Sequence, residues 1–506
     1  MKKFYLILLL ILPVFYTLAQ EDKKRDEKPE VLEARTFEGK QSVTIDGKTI
    51  QLKSLTGTTQ LRDINNKPIA LFGFTAYFKE GENNPAMRPI IFAYNGGPGS
   101  SSYWLHMGVL GPKRIKVNDP DNTPAAPYNL VNNDQSLLDV ADLVMIDPVG
   151  TGLSVATGTG KNKDFWGVDG DIESISSFIR QFLIEHGRMN SPKYLLGESY
   201  GTFRNAGVMA HLHDQGIALN GVVMVSAVFD LRQLVFPVGD DLPYIVHFPT
   251  YAATAWYHDK IANKSGSISA FIDQVRDFTE NEYMPALFKG AQLSMDEKKS
   301  IADKLASFSG LTSDYWMNAD LRVEASEFFA ELLRKEGRTV GRLDSRFTGI
   351  NQDLLSQTAH YDPQSEAISH AYTAGFFDYF YGDLNVDKKL HYQTSAYGRE
   401  GFRWDWSHRG NTAWGTQVAI TTGPDMARTL SQNPNMKVLI LNGYYDIATV
   451  FYGVEYTIDH LGLTPEIKDN IIMEYYEAGH MMYTHQPSLE KFRNDVKAFI
   501  EETSNL

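Results

Sequence analysis

Six short apolar runs, each ending in a loop rich in Gly, Asn or Asp, constrain this chain most. They are RPIIFAYN (88–95), LVMIDPVG (143–150), KYLLGES (193–199), GVVMVSAV (221–228), KVLILNGYYD (437–446) and IIMEYYEAGH (471–480). Runs apolar at consecutive positions suit strands covered on both faces, as in a parallel sheet between helices. Helical pattern lies between several of them, as in DIESISSFIRQFLIEHG (171–187). The expected fold class is therefore α/β, with a central, mostly parallel sheet. Before the first run, residues 41–79 read as β-rich runs around the turn-forming pairs Asp46-Gly47 and Asn65-Asn66. That predicts antiparallel N-terminal strands.

The rhythm breaks between about 231 and 430. There SISAFIDQVRDFTENEYMPALF, MDEKKSIADKLASF and NADLRVEASEFFAELLRK read as amphipathic helices with no strand-like run between them. A mostly helical insertion at 231–430 splits the core into 41–230 and 431–506. Residues 376–406 are dense in aromatics (FFDYFYGDL, FRWDWSH). Most of these are expected to pack the insertion, although a cleft wall is the alternative.

Residues 1–20 (MKKFYLILLLILPVFYTLAQ) carry two lysines, an apolar stretch from Phe4 to Leu18, and small residues Thr17 and Ala19. This reads as a signal peptide, 1–19, cut after Ala19. The apolar stretch is short for a membrane span, so no stable anchor is expected after cleavage. Residues 20–40 read as a flexible lead. The mature chain is expected to work outside the cytoplasm, secreted or periplasmic. With no cysteine in the chain, disulfides, thiolate nucleophiles and Cys-ligated metals are excluded. That suits a bacterial envelope protein. The net charge of −14 argues against a nucleic-acid partner.

One segment carries the chemistry. Gly197-Glu198-Ser199-Tyr200-Gly201 lies between an apolar run and a helical pattern. A serine on a tight strand-to-helix turn has an exposed hydroxyl, and glycines two residues away remove Cβ atoms that would clash. The N–H of Tyr200, at the helix start, would face an oxyanion. Serine needs a base. Asp446 and His480 each follow an apolar run, later in the chain and in the order acid then histidine that such a hydrolase uses. Asp425 and Asp459 are alternative acids, and His485 is an alternative base. His211 and His213 have no acidic or Cys partner at ligand spacing, so neither metal nor cofactor is expected. NGGPGSSS (95–102) follows a buried strand, and its Gly96, Gly97 and Gly99 leave backbone N–H groups free.

NGGPGSSS, MGVLGP (107–112), IDPVGTGLS (146–154), GESYG (197–201), NGYYD (442–446) and EAGHMMY (477–483) occur in this order. The sequence thereby resembles the serine carboxypeptidase family, here a secreted, bacterial-type member. The resemblance implies an α/β-hydrolase fold with a helical insertion. It also implies release of C-terminal residues from peptide substrates through an acyl-enzyme. By its motifs, Ser199 is the implied nucleophile, His480 the general acid/base and Asp446 the orienting acid. Gly97 and Tyr200 are the implied oxyanion hole; Asn95, Gly96 and Glu198 are the implied binders of the substrate carboxylate. To donate to a carboxylate Glu198 must be protonated, which favours acidic pH. Two positions depart from the family: Ala93 stands where many members have Trp, and Val109 where many have a second Glu. They keep open an esterase or acyltransferase with the same three residues, and, as a different class, a non-catalytic binding protein. Oligomeric state and side-chain preference stay open.

Overall fold

The computed structural model describes residues 31–262, 264–408 and 420–504. The expected signal peptide, 1–19, lies outside the described residues. Nine strands form the path of the main sheet: β1 Thr36–Ile45, β2 Lys48–Arg62, β3 Pro68–Lys79, β4 Ile90–Tyr94, β5 Asp142–Asp147, β6 Lys193–Glu198, β7 Gly221–Val225, β8 Lys437–Gly443 and β9 Ile471–Tyr476. Their order is β1-β2-β3-β5-β4-β6-β7-β8-β9, and Val155–Ala156 adds a short piece on β3. From β1 to β5 the pairing is antiparallel; from β5 to β9 it is parallel.

The doubly apolar runs explain the parallel half. Along β4, Ile91 and Ala93 face one core while Ile90, Phe92 and Tyr94 face the other. All five residues are buried. Burial of each large aliphatic side chain contributes roughly 1.5–3 kcal/mol. The antiparallel half turns at Asp46 and Gly47 (φ 49° and 73°) and at Asn66 (φ 61°). β1 begins at Thr36, inside the stretch read from sequence as a flexible lead. Thr36–Gly39 pair with Gly57–Ser54 of β2, and pairing orders a polar stretch that shows little apolar signal of its own.

Helix α1, Val168–Glu185, and helix α2, Tyr200–Asp214, cover one face with the core of Phe178, Phe182, Phe203 and Val208. A third core surrounds helix α3, Leu242–Tyr257, where Phe248, Tyr251, Trp316 and Phe328 of the insertion pack with Tyr444 and Phe451 of the segment after β8. The insertion also contains a two-stranded antiparallel ribbon, Arg338–Val340 with Thr348–Ile350. Three residues per strand are too few to read as a periodic run. Helix α4, Pro363–Asp378, and the aromatics Phe376, Tyr379, Phe380 and Tyr392 belong to the core on the other face. Helix α5, Gly423–Gln432, precedes the expected return to the core at 431, yet it packs against α2 and shares its core through Met426 and Leu430. Helix α6, Gln486–Thr503, closes the chain against β7 and β8. Among the described residues no helix is long and apolar enough to cross a membrane.

Candidate active site

Four of the apolar runs deliver their ends to one place. β6 ends at Glu198, and Ser199 then takes φ 60° and ψ −130° before α2 starts at Tyr200. A non-glycine residue at positive φ is strained, and only tight surroundings hold it there. Gly197 and Gly201 supply those surroundings. A Cβ on Gly197 would fall 2.3 Å from Gly201 O, and one on Gly201 3.0 Å from Tyr94 O. Ser199 N–H donates to Val225 O at 3.0 Å. Ser199 itself is only half-buried, while its neighbours Glu198 and Tyr200 are buried.

Asp446 follows β8 and is fully buried. Its Oδ1 accepts from the N–H groups of Ala448 and Thr449 at 2.9 and 3.0 Å, and Oδ2 accepts Thr449 Oγ1–H at 2.8 Å. Oδ2 also lies 2.7 Å from His480 Nδ1. Burial disfavours the imidazolium, but the charge and hydrogen bond of Asp446, then the charge of Glu198, outweigh it. The pKa of His480 is raised above its ordinary value, with Arg342 opposing. The His480 backbone is held from two sides: its N–H donates to Leu343 O at 2.6 Å, and its carbonyl accepts Ser226 Oγ–H at 2.7 Å.

The glycine loop starts at Asn95. Arg204, buried between the Tyr94 and Tyr200 rings and paired with Asp171 at 2.6 Å, donates to Asn95 O at 2.9 Å. Breaking such a buried pair from one side costs roughly 3–5 kcal/mol, so the loop begins on a firm base. A Cβ on Gly96 would fall 2.4 Å from Tyr200 N, which places the loop against the N-terminus of α2. Gly97 has φ 107°.

Asn95 Nδ2 donates to Glu198 Oε1 at 3.1 Å, and Tyr483 O–H donates to Oε2 at 2.7 Å. Burial pushes Glu198 up to about 7, against the lowering by His480 and by these donors. Tyr483 reaches Glu198 because residue 108 is glycine: a Cβ there would fall 2.4 Å from the Tyr483 ring.

Asn95, Gly96, Gly97, Glu198, Ser199, Tyr200 and His480 all line one cavity of about 380 Å³. Asp446 stands behind His480. The alternatives lie elsewhere. Asp425 pairs with His408 at 2.8 Å and Asp459 with Lys468 at 2.5 Å, while His485 bonds Ser488 at 2.9 Å. His211 and His213 lie in the last turn of α2. Of the aromatic stretch, Tyr397 and Trp406 form cleft wall. Thr449, Tyr483 and Arg342 are the site residues that sequence reading passed over. Thr449 and Tyr483 each sit three residues after a chosen residue, a spacing that signals nothing until the loop folds back. Ala93 and Val109 are both fully buried in the core.

The serine carboxypeptidase family model matches residues 74–492. The chain belongs to the serine carboxypeptidase family. Its fold is that of the α/β hydrolases. Similar curated proteins include serine carboxypeptidase-like 15 of Arabidopsis thaliana, 32% identical over 126 residues, 24% of this chain and 28% of that one. Serine carboxypeptidase-like 10 of the same plant is 27% identical over 183 residues, 35% and 38% of the two chains. Serine carboxypeptidase S10 family member 1 of Dictyostelium discoideum is 28% identical over 171 residues, 33% and 36%. The chain thus covers between 28% and 38% of the length of these relatives. Among solved structures, Kex1(delta)p, a prohormone-processing carboxypeptidase from Saccharomyces cerevisiae, aligns with TM-score 0.50 at 16% identity. The alignment covers 90% of this chain and 92% of that one, a likeness of fold.

Proposed function

We propose that this family member hydrolyses peptide bonds and releases C-terminal residues through an acyl-enzyme on Ser199. One observation carries the reading. A serine on a strained turn, an imidazole bonded to a buried carboxylate, and a second buried carboxyl at about 7 meet at one cavity. Ser199 Oγ attacks the scissile carbonyl carbon while His480 Nε2 takes its proton. Asp446 holds Nδ1–H and stabilises the imidazolium. The N–H groups of Gly97 and Tyr200 receive the oxyanion. The adduct then breaks the C–N bond, and His480 passes the proton to the leaving amine. Water, deprotonated by His480, attacks the ester carbon, and Ser199 leaves with its proton restored.

Asn95, the backbone of Gly96 and Glu198 hold the free terminal carboxylate. Glu198 donates to it only when protonated, so recognition fades as pH rises through about 7. The enzyme therefore favours acidic conditions. The leader read at 1–19 puts the mature chain outside the cytoplasm. A second reading, an esterase or acyltransferase with the same three residues, is favoured by Ala93 and Val109, which give the cleft no hydrogen-bonding side chain.

Replacing Ser199 with Ala should cut peptide turnover by on the order of 10⁴ or more; turnover that survives removes Ser199 from the chemistry. Matched substrates with a free C-terminal acid, a C-terminal amide and a simple ester then separate the two readings. A strong preference for the free acid supports release of C-terminal residues, and indifference to it supports the esterase.

A further inference from the structure

One charged group in the cleft is not used by this mechanism. Arg342 is the one Lys or Arg among the described residues lining the cavity that holds Ser199 and His480. It is exposed, and among the described residues it makes no ion pair. The acids beside it are committed elsewhere. Asp362 caps α4 by accepting Ser365 N–H at 2.8 Å, and its other oxygen accepts the N–H groups of Arg342 and Leu343 at 2.6 and 3.0 Å. Asp344 accepts from Arg346 at 2.6 Å and from Gly479 N–H at 3.0 Å.

The backbone under this cation is fixed. Besides the bond to Asp362, the Arg342 carbonyl accepts Ile447 N–H at 3.1 Å, and the next carbonyl, Leu343 O, accepts His480 N–H at 2.6 Å. Arg342 is therefore one residue from the anchor of the imidazole, and its charge reaches both His480 and Tyr397, on the cleft wall. An exposed cation on a held backbone, lining the same cavity as Ser199 and His480, fits an anion brought by the substrate.

Resting on the peptide-hydrolase reading above, we propose that Arg342 is a specificity-determining residue that receives a carboxylate of the peptide substrate. Two sources carry that group: an acidic side chain next to the scissile bond, and the free C-terminus. Glu198 and Asn95 already serve the terminal carboxylate in that reading, so a peptide with an acidic side chain presents a second carboxylate for Arg342.

The test uses the full-length mature protein, Arg342→Gln and Arg342→Lys. Substrates are peptide pairs differing only as Glu or Gln on either side of the scissile bond, each as free acid and as amide. Arg342→Gln should lower kcat/KM for the glutamyl peptide about tenfold more than for its glutaminyl twin, through KM. Arg342→Lys should recover part of the difference, and added salt should shrink the wild-type preference. Loss of free-acid preference with an unchanged Glu/Gln ratio would assign the terminal carboxylate as the source. Ratios that stay within about twofold on both axes in Arg342→Gln overturn the proposal, as does an equal loss for every peptide. If the wild type cleaves no peptide, the hydrolase reading fails. Arg342 is then read by protection of Ser199 from a fluorophosphonate: better protection by glutamyl than by glutaminyl peptides, lost in Arg342→Gln, supports it, and equal protection overturns it.

Discussion

Glu198 accepts from two neutral donors, Asn95 on one oxygen and Tyr483 on the other. Burial raises it to about 7, and its charge in turn raises His480. The two groups titrate as a pair, so the limbs of a pH profile belong to both. The signs are nevertheless separable. In the proposed reading, loss of the Glu198 proton would end carboxylate recognition and set the alkaline limb, and loss of the His480 proton would make the base and set the acidic limb. Glu198→Gln keeps a donor at every pH and removes the charge that favours the imidazolium. The kcat/KM profile for a free-acid peptide should then extend in both directions, with the alkaline fall near pH 7 abolished. An unchanged profile, measured from pH 4 to 9, would remove Glu198 from carboxylate recognition. Ser199 was legible because its motif is local, a strand, a tight turn and a helix within a dozen residues. Thr449, Tyr483 and Arg342 were not: Thr449 bonds Asp446 only once their loop folds back, and Tyr483 and Arg342 reach the cavity only when separate segments meet.

At the scale of elements, the glycine loop after β4 and the start of α2 approach more closely than side chains allow. Gly96 faces the backbone nitrogens of Tyr200 and Gly201, where a Cβ would lie at 2.4 and 2.6 Å. Backbone cannot step aside as a flexible side chain can, so Gly96→Ala must separate loop from helix. With Gly97 and Tyr200 as the oxyanion donors, that separation should lower kcat by about 10²–10³, the effect of losing one donor. KM for the same substrate should move less. A kcat within threefold of wild type, with thermal stability unchanged, would detach this loop from catalysis. The parallel strands were readable because burial on two faces writes an unbroken apolar run. The ribbon Arg338–Val340 with Thr348–Ile350 was not readable, since three residues give no period. Helix α5 read as insertion because no strand-like run precedes it after 231, although Met426 and Leu430 pack into the core.

Across the whole molecule, the tail of the insertion is tied back to the hydrolase core by a charged clasp. His408 lies 2.6 Å from Asp169 of α1 and 2.8 Å from Asp425 of α5. Burial disfavours its cation, but hydrogen bonds and charge from the two acids win and raise it to about 9. A pKa raised on folding stabilises fully below the unfolded value near 6.5 and is lost as pH rises through 9. His408→Gln should therefore lower Tm by about 1–2 °C at pH 6, corresponding to about 1–2 kcal/mol with one acid partly exposed, and much less at pH 9.5. Equal loss at both pH values would mean the side chain only fills space. The clasp precedes α5 and follows Trp406 of the cleft wall, so the same measurement on substrate KM reports whether the wall depends on it.

The histidine is gripped by both parts of the molecule, by Ser226 from the sheet and by Leu343 from the insertion. The insertion is accordingly not a detachable lid over a self-sufficient hydrolase. Excising it, or grafting another in its place to change substrate preference, would also remove the Leu343 carbonyl that holds the His480 backbone. Engineering of selectivity in this scaffold is therefore confined to point changes on the wall, with the stretch around 343 left intact.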